Sequence, residues 1–372
     1  KGNNFDGNNF IEEAIKKGAK IIVSERKISN KKGVIFLYSS NVRKLLSLVS
    51  YKIFDKKPKK LVAVTGTNGK SSVADFFFQI LNLNSKRVAS VGTIGLRYKN
   101  QKRKISKTTL DSIQLSKILK ELYKKKIEYV IMETSSHGLK QNRLDGLLFD
   151  IGIFTNLSHD HLDYHKNMKN YFESKLYLFN NLIKKKGNII TDANIPQIRK
   201  FKQISSKKNK KLSLIFNHEH GIDLISHEFS NEQQILKIRF KNKIFEIKLN
   251  LIGKLQLKNI FMSMLAAYNC GLDFKKIIYV IGKIKSVEGR LEKIGKIKNN
   301  SKIILDYAHT PAALKQALLS IKEQFPSSNI SLVFGCGGER DYKKRSIMGR
   351  IAERFSKKIY LTDDNPRNES PY

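Results

Sequence analysis

The sequence predicts an α/β protein of three domains, whose central domain is built on a parallel sheet. Two observations support this fold class. Short apolar stretches typical of buried strands, such as LVAVT and YVIME, alternate with segments whose apolar residues recur at helical spacing. A glycine-rich turn also joins the first of these strands directly to a helix, as in a βαβ unit. The length of 372 residues suffices for two or three domains.

Changes of pattern along the chain predict the domain boundaries. Residues 1–57 contain a helical segment (FIEEAIKKG) and two short apolar strands, and we expect them to be the remainder of a small N-terminal α/β domain. The linker FDKKPKK leads into the central domain, residues 58–292, where a β-hairpin insertion is predicted between about residues 212 and 250. A second βα series forms the third domain, residues 293–372. Because the chain starts at Lys1 and stops soon after a strand pattern, we expect truncation at both ends.

The chain is strongly basic, with 71 Lys and Arg against 32 Asp and Glu and a formal net charge of +39. Clustered cations favour nucleic acid, so a basic nucleic-acid-binding NTPase is one hypothesis. Here the lysines are spread between apolar positions along the whole chain, which is typical of solvated faces, and we expect no nucleic-acid partner. Two cysteines and the lack of a long apolar run or signal peptide favour a cytoplasmic protein without a membrane partner.

The strongest chemical signal is the segment VAVTGTNGKSS, where a strand, a glycine-rich turn and a helix follow one another. Glycines let backbone N–H groups approach phosphates, and a helix N-terminus adds positive potential. Lys70 can reach the terminal phosphates, and the hydroxyl of Ser71 can hold Mg²⁺. Val64 replaces the first glycine of the GxxxxGK[ST] pattern, so the match is partial. The predicted nucleotide-binding residues are Gly66, Thr67, Asn68, Gly69, Lys70, Ser71 and Ser72.

Two further polar segments follow predicted strands, at the edge where an open α/β sheet presents its ligands. Glu133 ends the strand of METSSHGLKQNR and is placed to hold the same Mg²⁺. The polar side chains after it either bind a ligand or cap the next helix. The segment TNLSHDHLDYH concentrates acidic and imidazole groups and predicts a metal or phosphate site. Its candidate residues are His159, Asp160, His161, Asp163 and His165.

These segments, together with TT at 108–109, YFESK, EGRLE, LDYAHTP, FGCGGERD and DDNPR, resemble the motifs of the Mur ligase family and occur in the family's order. The opening DGNNFIEEAIKKGAKIIVSE resembles the late part of that family's uridine-binding domain. The resemblance implies the three-domain Mur ligase architecture, with a central ATPase domain and a Rossmann-like C-terminal domain. It also implies an ATP-dependent amide ligase of peptidoglycan precursor synthesis, which activates a carboxylate as an acyl phosphate and releases ADP and phosphate.

The resemblance further implies roles around ATP and its metals. Lys70 would hold the β and γ phosphates, Ser71 and Glu133 would bind one Mg²⁺, and His161 would belong to a second Mg²⁺. Lys175 aligns with the lysine that the family carbamylates with CO₂, a change that turns a cation into an anion able to act at the second Mg²⁺. The further residues implied to contact ATP are Asn259, Arg290, Asp306 and His309.

Two substrates and a monomeric enzyme are implied as well. The residues implied to bind the UDP-linked muramyl dipeptide are Thr108, Thr109, Ser135, Gln141 and Arg143. The residues implied to bind the amino acid, meso-diaminopimelate, are Arg340, Asn365 and Arg367. A guanidinium can bind the distal carboxylate of diaminopimelate bidentately, whereas lysine carries only an ammonium group there. A sister ligase that adds lysine or glutamate stays an alternative, as does a fragment that binds nucleotide without catalysis.

Overall fold

The structure is a computed structural model that describes residues 6–29, 33–230, 232–339 and 342–370. The chain forms two compact units. The first consists of Lys1–Thr65, Arg87–Gly152 and His159–Gly187, and the second consists of Gly66–Lys86, Ile153–Ser158 and Asn188–Tyr372. Among the described residues, no helix has the length and apolar character needed to cross a membrane.

The apolar stretches that the sequence predicts as strands do form strands, and further strands lie between them. In chain order they are β1 (Ile21–Ser24), β2 (Ile35–Tyr38), β3 (Lys60–Thr65), β4 (Val88–Gly92), β5 (Gly95–Tyr98), β6 (Gln101–Arg103), β7 (Tyr129–Glu133), β8 (Phe149–Phe154), β9 (Ile183–Asp192), β10 (Lys211–Ile215), β11 (Gly221–Ser230), β12 (Gln233–Phe240), β13 (Lys243–Leu249), β14 (Glu292–Lys296), β15 (Lys302–Leu305), β16 (Ser331–Phe334) and β17 (Lys358–Leu361).

Several of the longer helices begin at a side-chain cap, for example Asn41, Asp111, Asn167 and Thr310, each of which accepts a hydrogen bond from a backbone N–H of the first turn. In chain order the helices are α1 (Ile11–Lys16), α2 (Val42–Ile53), α3 (Lys70–Leu83), α4 (Ser112–Lys124), α5 (Ser136–Lys140), α6 (Leu162–His165), α7 (Met168–Tyr177), α8 (Ile198–Lys207), α9 (Leu255–Asn269), α10 (Phe274–Ile281), α11 (Pro311–Gln324) and α12 (Lys343–Phe355). Short 3-10 segments are formed by Gly7–Phe10 and Lys298–Asn300, and a π-helical turn by Leu178–Leu182.

In the first unit the strands follow one another in the order β8, β3, β7, β4, β5 and β6. β7 pairs in parallel with β3 and with β4, whereas β4–β5 and β5–β6 are antiparallel. β3 and β7 are almost fully buried, which is why their sequences read as continuous apolar runs. The N-terminal segment adds the parallel pair β1–β2 and helix α2, which packs against α4. The predicted parallel sheet is therefore confirmed in this unit.

In the second unit the strand order is β9, β10, β11, β12 and β13, with parallel pairs β9–β10 and β10–β11. β11, β12 and β13 are antiparallel neighbours, so the predicted hairpin is confirmed, although β11 extends it to three strands. Lys241 and Asn242 form the turn between β12 and β13 with positive φ angles, as the favoured two-residue hairpin turns require. Helix α3 packs against α9, where the Ser263 hydroxyl donates to the Val73 carbonyl at 3.0 Å.

The C-terminal part of the second unit contains the antiparallel pair β14–β15, the parallel pair β16–β17 and the packed helices α11 and α12. Ile252, Leu291 and Ala317 form one small buried cluster there. Leu314, Leu318 and Met348 form a second cluster between α11 and α12. The βα series predicted after EGRLE is confirmed by these elements.

Candidate active site

The glycine-rich loop lies between β3 and α3, as its sequence predicts. Gly66 and Gly69 have φ angles of +148° and +86°. A Cβ atom at Gly66 would overlap the Thr155 hydroxyl, and one at Gly69 would press on the Asn259 amide oxygen. Both positions therefore require glycine for two reasons, the positive φ and the close approach of a neighbouring side chain.

The segment that follows β8 fixes the backbone of this loop. The Asn156 amide oxygen accepts the Asn68 N–H at 2.9 Å, and the Asn156 carbonyl accepts the Thr67 N–H at 3.0 Å. The Thr155 hydroxyl donates to the Asn68 carbonyl at 2.6 Å. The Ser158 N–H donates to the Thr67 hydroxyl at 3.0 Å. A loop held at this many points keeps its shape before a ligand arrives, which is the preorganisation that an anion site needs.

The ammonium group of Lys70 folds back over its own loop, where it donates to the carbonyls of Gly66 at 3.0 Å and Thr67 at 2.7 Å. Ser71 and Ser72 are buried in the first turn of α3. The N-terminus of a 14-residue helix, a lysine and a glycine loop are thus gathered at one place. This arrangement fits the phosphates of a nucleotide.

A chain of contacts runs from the phosphate loop to the EGR segment. Asn259, which lies against Gly69, donates from its amide to the Gln256 side-chain oxygen at 3.1 Å, and Gln256 donates to the Arg290 carbonyl at 3.2 Å. The Leu291 N–H then donates to the Asp306 carboxylate at 2.8 Å. The structure therefore links three of the predicted ATP-binding residues, Asn259, Arg290 and Asp306.

Beside that segment, the Arg290 guanidinium lies 4.8 Å from the centre of the Tyr307 ring. His309 approaches the Tyr307 carbonyl through Nδ1 at 3.1 Å. Burial raises the pKa of Asp306, while the Leu291 N–H and the Arg290 charge partly oppose this effect. The ring contact, the His309 contact and the half-buried carboxyl group Asp306 make this a compact polar cluster.

In the first unit, Glu133 lies at the end of β7 and is only 2% exposed. Its carboxylate accepts the Thr93 N–H at 2.8 Å and the Thr93 hydroxyl at 3.2 Å, and the latter lies 3.1 Å from the Thr108 hydroxyl. The Thr109 hydroxyl donates to the Glu133 carbonyl at 3.0 Å and accepts the Ser135 N–H at 2.8 Å. A buried carboxylate among hydroxyl groups is the oxygen-rich setting that Mg²⁺ prefers.

Gln141 and Arg143 form one unit on the turn after α5. The Gln141 side-chain oxygen accepts from Arg143 Nε at 3.1 Å and from Nη2 at 2.6 Å, and Arg143 Nη1 donates to the Thr109 carbonyl at 2.5 Å. The Gln141 amide donates to the Tyr164 hydroxyl at 3.1 Å. The five residues predicted to bind the UDP-linked substrate thus lie in one connected group with Glu133.

A cluster of rings lies around His137. Its ring centroid is 4.9 Å from that of His161, 4.1 Å from that of Tyr164 and 5.5 Å from that of His165. Desolvation lowers the pKa of His137, and it lowers that of His165 to about 4, so both rings are neutral near pH 7. Of the five candidates in the histidine-rich segment, His159, His161 and Asp163 are exposed, whereas Asp160 is half-buried and His165 is buried.

Lys175 is 1% exposed on α7, and its ammonium lies 4.3 Å from the centre of the Tyr171 ring. Lysine side chains are almost never fully buried in proteins, so the burial of Lys175 fits a chemical role. Within residues 6–29, 33–230, 232–339 and 342–370, the His, Cys, Asp and Glu side chains form no group of three or more with the geometry to hold a metal. Ligands of another kind, such as a modified lysine or hydroxyl groups, would have to complete any metal site there.

Two of the three predicted amino-acid-binding residues are described, and Arg340 lies outside the described residues. Arg367 donates through Nη1 to the Gly338 carbonyl at 2.7 Å, and the Gly338 N–H donates to the Asn365 carbonyl at 3.1 Å. The NPR turn is therefore held against the GGE turn. A side chain at Gly338 would overlap the Pro366 carbonyl, which explains the glycine.

Sequence reasoning missed several residues of these clusters. Thr93 binds the Glu133 carboxylate, Asn156 and Thr155 hold the phosphate loop, and Tyr164 contacts Gln141. Thr93 and Asn156 follow the carboxyl ends of β4 and β8, and polar residues at such strand ends were a usable signal.

The chain matches two family descriptions. Residues 64–267 match "Mur ligase middle domain" and residues 289–372 match "Mur ligase, glutamate ligase domain". The chain therefore belongs to the Mur ligase family and is a ligase. The predicted family and fold class are confirmed.

Similar proteins indicate which kind of Mur ligase the chain resembles. A protein of Rickettsia rickettsii named UDP-N-acetylmuramoyl-L-alanyl-D-glutamate–2,6-diaminopimelate ligase is 38% identical over 379 residues, which covers 100% of this chain and 77% of the relative. A protein of Wigglesworthia glossinidia brevipalpis with the same name is 37% identical and covers 99% and 76%. A solved structure of such a ligase has a TM-score of 0.77 at 28% identity, covering 98% of this chain and 74% of its own.

A solved MurF ligase of Thermotoga maritima, in complex with ADP, has a TM-score of 0.66 at 20% identity. The match covers 98% of this chain and 84% of the MurF chain. At this identity the likeness shows a shared fold. The α/β architecture described above is therefore common to ligases of this family with different names.

Proposed function

We propose that the protein is an ATP-dependent ligase that joins meso-diaminopimelate to UDP-N-acetylmuramoyl-L-alanyl-D-glutamate in peptidoglycan precursor synthesis. The observation that carries this proposal is the alignment of the whole chain with Rickettsia relatives of that name at 38% identity. We further propose a cytoplasmic, monomeric enzyme with the domain boundaries 1–57, 58–292 and 293–372. The contacts of each residue group support the individual roles below.

We assign ATP to the glycine-rich loop, to α9 and to the segments that follow α9. Lys70 would move its ammonium from the carbonyls of Gly66 and Thr67 to the β and γ phosphates, where it offsets negative charge as the γ-phosphoryl group is transferred. The first turn of α3 would supply further N–H donors. Asn259, Arg290, Asp306 and His309 complete the proposed nucleotide contacts.

Magnesium is assigned by donor chemistry and by the family resemblance. Ser71 and Glu133 are proposed to hold one ion, and His161 and a carbamylated Lys175 a second. Bound Mg²⁺ would neutralise charge on the phosphates during transfer. Lys175 fits carbamylation because its side chain is buried, where a positive charge is costly, and carbamylation would replace that charge with an anion that a metal can balance.

The UDP-linked dipeptide is assigned to Thr108, Thr109, Ser135, Gln141 and Arg143. Its free glutamyl carboxylate accepts the γ-phosphoryl group of ATP, which gives an acyl phosphate and ADP. The amine of the incoming amino acid attacks the acyl carbon, the amide bond forms, phosphate leaves and the amine loses a proton. Hydroxyl, amide and guanidinium groups suit such an anionic substrate, since each donates hydrogen bonds to oxygen.

Diaminopimelate is assigned to Asn365 and Arg367, together with Arg340. Arg367 lies on a turn that is fixed against Gly338, so its guanidinium has a defined place. A guanidinium binds a carboxylate in a fork of two hydrogen bonds, which a lysine substrate, with an ammonium at that end, would not satisfy. Selectivity for diaminopimelate over lysine follows from this difference.

Phosphate release tests the proposal directly. The full-length protein is supplied with ATP, Mg²⁺, bicarbonate and UDP-muramoyl-L-Ala-D-Glu, and with diaminopimelate, lysine or no amino acid. We expect release only with diaminopimelate. A preference for lysine would reject the Arg367 argument and keep the ligase. Release without any amino-acid dependence would contradict the ligase and favour a simple NTPase.

A further inference from the structure

The turn that carries Gln141 and Arg143 has an unusual backbone at the residue between them. Asn142 has a φ angle of +54°, in the left-handed region that most side chains avoid. Asparagine enters this region more readily than most residues, because its short amide can bond locally. Since Asn142 is covalently joined to both neighbours, its conformation sets the direction in which each of them leaves the turn.

The Asn142 side chain is held by three neighbours from three parts of the chain. Its oxygen accepts from the Asn41 amide at 3.0 Å. Its nitrogen donates to the Asp145 carboxylate at 3.2 Å and to the Tyr177 hydroxyl at 3.3 Å. Only a carboxamide offers an acceptor and two donors in this shape, so the residue type matches its surroundings.

Helix α2 holds the main chain of the same turn. The Ser47 hydroxyl donates to the Asn142 carbonyl at 2.6 Å, and the Tyr51 hydroxyl donates to the Arg143 carbonyl at 2.9 Å. A Cβ atom at Gly146, which has a φ angle of +101°, would lie 3.1 Å from the Tyr51 ring. The helix and the turn are therefore in close contact, and two consecutive carbonyl groups are fixed by side chains of α2.

The Asp145 side chain belongs to the same hydrogen-bond network. It is 3% exposed, and its carboxylate accepts the Tyr177 hydroxyl at 2.6 Å, while the Lys44 ammonium lies 3.9 Å away. The Tyr177 hydroxyl donates to Asp145 and accepts from the Asn142 amide, so it joins the two side chains. Tyr177 also ends α7, the helix that carries Lys175.

The hydrogen bonds of this region fix the guanidinium of Arg143 in one orientation, in which it can bind a ligand. Three of its five N–H groups donate within the protein, two to Gln141 and one to the Thr109 carbonyl. The other two can donate to an oxyanion. A guanidinium binds oxyanions well only when its plane is already set, because ordering a long side chain costs conformational entropy.

We propose that Asn142 is a positioning residue, which acts through Gln141 and Arg143 to orient an oxyanion of the UDP-linked substrate, and that Asp145, Tyr177 and the side chains of α2 hold it in place. The inference rests on the proposed function, since it assigns a substrate to these two residues. It adds residues that no sequence motif indicates. Asn41, Ser47 and Tyr51 lie about 90 to 100 positions away in sequence from the turn they hold.

Three variants test the proposal. Asn142→Asp places a carboxylate against Asp145, and we expect the KM for UDP-muramoyl-L-Ala-D-Glu to rise about tenfold. Asn142→Gly keeps the backbone conformation without the amide, and we expect a rise of about fivefold. Tyr177→Phe removes one hydroxyl group, and we expect a rise of about two- to threefold. The KM for ATP and kcat should stay within about twofold of the parent, which general destabilisation would not produce.

Asn242→Gly is the matched control, because Asn242 also has a positive φ, of +60°, but lies in the exposed turn between β12 and β13. This control should leave unchanged the KM for UDP-muramoyl-L-Ala-D-Glu, the KM for ATP and kcat. Calorimetric titration with UDP and with UDP-muramoyl-L-Ala-D-Glu identifies the oxyanion. Loss of affinity for both ligands in Asn142→Asp assigns the diphosphate, and loss for the second alone assigns a dipeptide carboxylate.

Two results separate the possible failures. If the parent binds the UDP-linked dipeptide and the Asn142 variants bind it equally well, the positioning role is overturned and the proposed function stands. An equal rise of the KM for ATP in these variants would likewise overturn it. If the parent itself does not bind the UDP-linked dipeptide, the proposed function is overturned, and the positioning role falls with it.

Discussion

The phosphate loop follows the buried strand β3, whereas the Gln141–Arg143 turn follows the short helix α5, and the two segments are held in different ways. The phosphate loop keeps its shape through two glycines with positive φ angles, and hydrogen bonds with residues 155–158 support it. The Gln141–Arg143 turn depends on side chains of α2 and α7. The two glycines leave a short local signature in the sequence, whereas the residues that support each segment are distant from it in sequence.

The two segments should therefore differ in how well they tolerate substitutions. A glycine with a positive φ and a close neighbour accepts no other residue, so the phosphate loop should fail abruptly when it is changed. A turn held by several hydrogen bonds loses them one at a time, and each contributes only about 1 kcal/mol. We therefore expect graded losses of substrate affinity at the turn and large losses of turnover at the loop.

Lys70→Ala should have the largest effect. It removes the only charged side chain within residues 66–72, and kcat should fall by about 10²- to 10³-fold, as when one transition-state donor is lost. Steady-state kinetics with saturating ATP measures the loss. Turnover within about threefold of the parent would show that the loop does not carry the phosphate chemistry.

Arg143→Lys should affect the other region. Lysine keeps the charge but not the three hydrogen bonds that Arg143 makes to Gln141 and Thr109, so the KM for the UDP-linked dipeptide should rise about tenfold. The KM for ATP should not change. A rise in both constants would mean that the two regions do not act on separate substrates.

Asn156→Ala should have a smaller effect on the phosphate loop. It removes the acceptor for the Asn68 N–H and leaves the glycines in place, so the KM for ATP should rise about fivefold. The KM for the UDP-linked dipeptide serves as the internal control. A change in that constant alone would reverse the assignment of the two regions.

Glu232→Gln should have the smallest effect. The hydrogen bond from Lys293, together with Lys296, lowers the pKa of Glu232 to about 2, yet 38% of the side chain is exposed to solvent. Its stabilisation is present above the unfolded pKa of about 4.5 and is lost as the pH falls towards 2, and screening limits it to less than about 1 kcal/mol. Urea unfolding of the parent and the variant at pH 7 and pH 2 measures it. A larger loss, or one that persists at pH 2, would contradict this account.

The central strands and the phosphate loop could be predicted because their signals are local. LVAVT and YVIME are mostly apolar and almost fully buried, and the turn GTNGK carries its glycines where the backbone needs them. The hairpin around Lys241 and Asn242 was visible for the same reason. In each case a few adjacent residues determine the conformation.

The support for the Gln141–Arg143 turn could not be predicted. Tyr51 and Asp145 look like ordinary residues of a helix and a loop, and only the fold brings them together. The same holds for Gln256, whose two hydrogen bonds to Asn259 and Arg290 depend on the place where the EGR segment returns to α9. Polar contacts between distant segments leave no periodic pattern in a sequence.

Oxygen transfer is the most direct test of the central claim, which is that the protein activates a substrate carboxylate with ATP. UDP-muramoyl-L-Ala-D-Glu labelled with ¹⁸O in its free carboxylates is incubated with the full-length protein, ATP, Mg²⁺, bicarbonate and diaminopimelate. We expect each phosphate released to carry one ¹⁸O atom from the substrate, because the amine attacks the acyl carbon and the bond from that carbon to the phosphate oxygen breaks. Phosphate without the label would mean that water is the acceptor, and it would contradict the ligase.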